Sequence, residues 1–182
     1  MNKYIPIYLY GAIIILEGIF LMLSKTSAIN IIQPTLGITL TIGGILAFIA
    51  AFSRQRKQVQ FAYHEMHALA MMVYGVSILL FCDTYDKIIF LTSFLFIFYA
   101  FSEIIFCIWL FNLAQKVSFK ILIVRLILGF AIGIGTVFAM NYSDFTLEIF
   151  GVLFIMVGTN IILYVPVMKE DQFHEITKEL SQ

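Results

Sequence analysis

The run from Ile88 to Phe111, IIFLTSFLFIFYAFSEIIFCIWLF, holds one charged side chain, Glu103, in 24 residues. At a helical rise of about 1.5 Å per residue it reaches about 36 Å, more than the roughly 30 Å of bilayer hydrocarbon. Backbone N–H and C=O groups find no water in that layer, so a run of this kind is stable there only as a helix that satisfies its own hydrogen bonds. The reading of this stretch as a membrane helix sets the reading of the rest.

Five further apolar stretches flank it: Tyr4 to Leu23, Ala28 to Phe52, His67 to Cys82, Phe119 to Met140 and Phe145 to Met168. The third is the shortest, with Tyr63 to Met66 available as an interfacial first turn. Composition agrees, at 62% hydrophobic and 12% charged residues and a mean hydropathy of +0.99. A soluble domain sits near half apolar and a quarter charged. The expected fold is therefore an all-α integral membrane protein with six transmembrane helices. A secretory signal peptide fits the first stretch poorly, because Glu17 interrupts it and the cleavage pattern around Thr26-Ser27-Ala28 is weak. The formal net charge is zero, which argues against nucleic acid as a partner.

The polar breaks alternate in character. Ser24 to Ser27, Asp83 to Lys87 and Asn141 to Asp144 are short turns on one side. Ser53 to Gln60, Asn112 to Ser118 and the tail after Met168 fall on the other. That second side carries Lys3, Arg54, Arg56, Lys57, Lys116, Lys120, Lys169 and Lys178, against Lys25 and Lys87 on the first. An excess of Lys and Arg marks the cytoplasmic face, so both termini are expected there, in a cell (inner) membrane. Tyr4, Tyr8, Tyr63, Trp109 and Tyr164 are expected to line that interface, and Tyr85 and Tyr142 the opposite one. Pro6, Pro34 and Pro166 all fall near expected helix ends.

Small residues recur at a spacing of two helical turns: Gly11 and Gly18, Gly37 and Gly44, Gly151 and Gly158. Gly75 is followed at that spacing by Cys82, Leu95 by Ser102, and Gly129 by Thr136. Such pairs share one helix face and let a neighbouring backbone approach closely. With Tyr10-Gly11 echoed by Tyr74-Gly75, the pattern suggests three repeated hairpins, 4–52, 64–111 and 119–168, within a bundle over residues 1–168. Residues 169–182 read as a short cytoplasmic amphipathic tail, with Phe173, Ile176 and Leu180 on one stripe.

These hairpins, their short turns and the phrase Leu36-Gly37…Gly43-Gly44-Ile45…Phe52-Ser53-Arg54 resemble the HdeD-type acid-resistance membrane proteins. The resemblance runs from about Tyr10 to Met168 and is weakest in the middle hairpin, where Cys82, Leu95 and Ser102 stand at expected glycine positions. It implies a six-helix fold and a role in envelope or acid stress, and it brings no catalytic residues.

Charged groups within apolar helices are expensive, so each is a candidate site. By helical rise, Glu103 and Asn160 lie ~12 Å and Arg125 ~9 Å from the cytoplasmic ends of their helices. The three form a candidate intramembrane polar cluster, with Glu103 and Arg125 expected to pair. Glu17 and Glu148 fall ~6–9 Å below the other face, as candidate pH-sensitive carboxyls in surroundings that disfavour charge. His64 and His67, with Glu65 between, lack the spacing and the third ligand of a zinc site, so neither metal nor cofactor is expected. Cys82 and Cys107 belong to opposite halves of the bilayer and cannot form a disulfide with each other.

No nucleophile or acid–base constellation is present in the pattern, and an enzyme is not expected. The first functional expectation is a non-enzymatic stress-response protein acting through its bundle, membrane lipids, a homo-oligomer or a membrane protein partner. The alternative is a small proton, ion or solute transporter or channel using Glu103, Arg125 and Glu17.

Overall fold

The computed structural model describes residues 4–24, 28–52, 60–112, 118–141 and 146–179, with the side chains at 50–52, 60–65, 112 and 168–179 left aside. The described residues form six helices: α1 Ile5–Leu23, α2 Ile29–Phe52, α3 Gln60–Phe81, α4 Tyr85–Asn112, α5 Phe119–Asn141 and α6 Thr146–Glu179. No strand occurs among them. Five helices, all but α3, are long and apolar enough to cross a membrane; the described apolar run of α3 is Met66–Phe81.

The helices close into a ring. Each packs on the next along the chain, and α6 returns to pack on α1. The closest pairs are α1 with α6, α2 with α3, and α4 with α5. Each of these pairs is antiparallel. Gly11 meets Gly158 and Gly18 meets Gly151 in the first, while Gly37 meets Gly75 and Gly44 meets Ala68 in the second. The ring therefore has two ends. One gathers the termini of α1, α3 and α5 and the starts of α2, α4 and α6; it is called here the Ser24 end. The other is the Tyr4 end.

The polarity of the bundle follows its solvent. Leu16, Leu80, Phe101, Ile127 and Ile134 are exposed on the outside. Glu17, His67, Glu103, Arg125, Thr136 and Asn160 are buried inside. An apolar exterior over a polar interior is the arrangement that hydrocarbon surroundings favour. Between the polar groups the middle is filled by aromatic rings. Phe96 of α4 stands edge-on to Phe154 and Phe150 of α6, with centroids 4.7 and 5.5 Å apart.

Several expectations shift. Pro34 and Pro166 lie inside α2 and α6, where each removes one backbone donor from a helix that nonetheless continues. Residues expected as a separate tail prolong α6 as one helix to Glu179, although the stripe Phe173, Ile176 and Leu180 falls outside the described side chains. Tyr63, His64 and Glu65 lie in the first turns of α3, their side chains likewise outside the description. The basic residues Lys3, Arg54, Arg56, Lys57 and Lys116, together with Lys25, also fall outside it.

Candidate functional site

Glu103 projects from α4 and Arg125 from α5, and the two meet in the interior. Arg125 Nη2 lies 2.6 Å from Glu103 Oε1, and Arg125 Nε donates to the same oxygen at 2.7 Å. Both side chains are sealed, with 2% and 0% of their surface exposed. Cys107, one turn along α4, donates its thiol to Glu103 Oε1 at 3.5 Å. The guanidinium abuts two neighbouring aromatic rings, 4.9 Å from the centroid of Tyr164 and 5.6 Å from that of Phe106, whose centroids are 5.7 Å apart. Desolvation of this kind makes the attraction between a cation and a ring face stronger than at a surface.

The α4–α5 contact differs in kind from the other two close pairs. A Cβ built on Gly18 would sit 2.5 Å from the Gly151 carbonyl oxygen, and one on Gly44 would sit 2.8 Å from the Ala68 carbonyl oxygen. At those glycine positions the seams have no room for a Cβ. On α5, a Cβ at Gly129 would meet Glu103 Cγ at 3.4 Å, and one at Gly133 would meet Ala100 Cβ at 3.5 Å. Glycine brings backbones together in two pairs; in the third an ion pair joins helices that stand farther apart.

One turn toward the Ser24 end lies a second polar layer. Gly43, His67, Tyr99 and Asn160 each stand fourteen residues, and Tyr10 thirteen, from the Ser24 end of their helices, hence a common depth of ~21 Å. Tyr10 lays its ring against Gly43, where a Cβ would approach the ring to 3.0 Å. His67 meets Tyr99 edge-on at 4.9 Å, and its Nε2 lies 3.3 Å from the Ser102 hydroxyl. Asn160 stands within interaction reach of the Tyr99 hydroxyl, with no hydrogen bond of 3.5 Å or less from its amide. Both polar atoms of the Asn160 amide and the Tyr10 hydroxyl are buried with no hydrogen-bond partner among the described residues.

The two outer carboxyls part company. Glu17 is buried and accepts a hydrogen bond from Thr39 of α2 at 2.9 Å; its other oxygen is buried with no partner among the described residues. Glu148, in the first turn of α6, is exposed. Helical rise gives a residue its height but not its direction around the axis, and Glu148 points away from the interior that Glu17 enters.

The expected pair of Glu103 and Arg125 forms, Asn160 lies one turn away from it in the second layer, and Tyr10, His67, Tyr99 and Tyr164 were not among the expected site residues. Tyr164 was expected at the interface, yet it is 2% exposed against Arg125. The available signal was that Tyr10 and Tyr99 lie well inside their apolar runs, not at the ends. Cys82 and Cys107 are both buried and unbonded to each other. Among the described residues no group of three His, Cys, Asp or Glu side chains has the geometry of a metal site. A groove lined by Gly133, Ile134, Val137, Phe138 and Asn141 on α5 takes in none of these polar groups.

No family model matches the chain, and neither a curated protein nor a solved structure matches it significantly.

Proposed function

We propose that the chain is a six-span inner-membrane protein, built as three hairpins with both termini in the cytoplasm, that serves in the envelope response to acid without catalysing a reaction. One observation carries this reading: Glu103 and Arg125 join the one close helix pair that glycine contacts do not seal. Loss of the Glu103 charge, as in Glu103→Leu, would leave a buried cation against Tyr164 and Phe106. Breaking a buried pair from one side costs several kcal/mol, enough to shift how α4 and α5 are held. A stress that disturbs this seam would change the bundle itself, and lipids, a second copy or a membrane partner would read the change. The resemblance to HdeD-type proteins supports the same role.

Survival of the host under acid challenge tests it. Cells lacking the chain should lose viability, wild type should restore it, and Glu103→Leu, expressed to the same level, should not. Equal survival with and without the chain would overturn the reading.

A second reading is a small transporter, supported by the buried polar groups of Tyr10 and Asn160 beside the ion pair. Purified protein in liposomes with an internal pH dye decides it. Proton flux abolished by Glu103→Gln would favour transport; flux equal to that of empty liposomes at neutral and acid pH would remove it.

A further inference from the structure

The interior layer formed by Tyr10, Tyr99 and Asn160 carries more hydrogen-bonding capacity than it uses. Asn160 is fully buried, and its amide offers two donors on Nδ2 and lone pairs on Oδ1, none of which makes a hydrogen bond of 3.5 Å or less to a described residue. The Tyr10 hydroxyl, 1% exposed as a residue, is in the same condition. The Tyr99 hydroxyl stands beside the Asn160 amide. These groups reach the layer from α1, α4 and α6, so they converge on one place from three sides of the ring. Buried polar groups of this kind are almost always satisfied by protein or by an internal molecule.

The surroundings fix what that molecule would be. An anion would face Glu103 and a cation would face Arg125, both about one turn away and already engaged with each other. Phenol and amide groups together offer donors and acceptors without net charge. Aromatic filling by Phe96 and Phe154 immediately below leaves the layer narrow. We propose that Asn160, Tyr10 and Tyr99 form a binding site for a small neutral hydrogen-bonding molecule, namely internal water, held inside the ring next to the Glu103–Arg125 pair. A bound water needs two to four polar partners, and this layer supplies them. The inference does not depend on an acid-stress role or on transport.

Radiolytic hydroxyl labelling with mass spectrometry tests it on the full chain in detergent or nanodiscs, with water as the probe. X-ray pulses generate radicals from bound water in place, so side chains touching internal water oxidise even when sealed from bulk. Tyr10 and Tyr99 should oxidise in a dose-dependent way, while Phe96 and Phe154, equally buried aromatic rings, should not. Asn160→Leu should lower the Tyr99 rate at least tenfold. If Asn160→Leu fails to fold, Tyr10→Phe should lower the Tyr99 rate severalfold. Tyr10 and Tyr99 as silent as Phe96 and Phe154 would overturn the proposal, and so would oxidation of all four at similar rates.

Discussion

Gly18 and Gly151 face each other across the α1–α6 seam: a Cβ on either would lie within 2.6 Å of the other's carbonyl oxygen. The obstacle is backbone, which cannot rotate away as a side-chain tip can. Gly18→Ala or Gly151→Ala should therefore force the helices apart and destabilise the bundle by about 1–3 kcal/mol, the usual cost of overpacking. Gly133→Ala, with only Ala100 Cβ at 3.5 Å, should be neutral or stabilising, because alanine favours a helix over glycine by up to about 1 kcal/mol. Unfolding of purified protein by SDS in mixed micelles compares the three. Equal loss at Gly133 and Gly18 would refute the difference between the seams.

The ion pair answers to a different series. Glu103→Gln or Arg125→Leu alone strands the partner in an apolar interior, and should cost about 3–5 kcal/mol. The double change Glu103→Met with Arg125→Met should cost much less than the sum, since neither buried charge remains. A charge swap, Glu103→Arg with Arg125→Glu, should recover only part of the loss. The rings of Tyr164 and Phe106 favour a guanidinium on α5 and would then face a carboxylate. The same SDS titration gives the coupling energy, and strict additivity of the single changes would contradict a direct interaction.

These two cases also show what a linear sequence discloses about such a bundle. A charged residue in an apolar run stands out, and helical rise gives its depth, so the pairing of Glu103 with Arg125 was legible, while Asn160, expected at their level, lies one turn away in the layer of Tyr99. Direction around the helix was not, because every face of these helices is apolar; Glu148, expected at one level with Glu17, stands on the exposed side of α6 while Glu17 is buried. Tyrosine misleads in the opposite sense. Its common place in membrane proteins is the interface, and Tyr164 satisfies its burial with a cation that only the fold brings to it. The glycine spacing was legible, but not its partners. In α3 the packing positions are Ala68 and Gly75 rather than Gly75 and Cys82, since Ala68 offers Gly44 its carbonyl oxygen as a glycine would.

At the Ser24 end, Asp83 and Lys87 form an exposed pair one turn apart, with Nζ to Oδ1 at 2.5 Å. The hydrogen bond from Lys87 holds the Asp83 carboxyl below its ordinary range. A carboxyl whose pKa is depressed on folding contributes stability above its unfolded value, near 3.9, and that contribution fades as pH falls through the lower folded value. Lys87→Met should move the Asp83 titration midpoint up toward about 3.9, as read from its carboxyl carbon resonance. Overall stability at neutral pH should hardly change, because exposed pairs contribute little. A midpoint unmoved by Lys87→Met would show that the lysine is not the cause.

Cys107 provides a reporter for the α4–α5 seam, since it is fully buried and its thiol donates to Glu103. In a Cys82→Ser background, reagent reaches Cys107 only when α4 and α5 separate or the whole bundle opens. Local openings of this kind occur with free energies below that of global unfolding. If Glu103 and Arg125 hold the seam, Arg125→Leu should lower the opening cost by roughly 3 kcal/mol, and each 1.4 kcal/mol is a factor of ten. Modification by an aromatic disulfide reagent, which works in acid as well as at neutral pH, should then accelerate about a hundredfold. Normalising to the rate in SDS removes any change in the intrinsic reactivity of the thiol. A Cys107 that reacts equally slowly in wild type and Arg125→Leu would mean that packing around Phe106 and Tyr164, and not charge, keeps α4 against α5. A stress would then have to act on the bundle elsewhere, with Glu17 and its bond from Thr39 the next pair of residues to change.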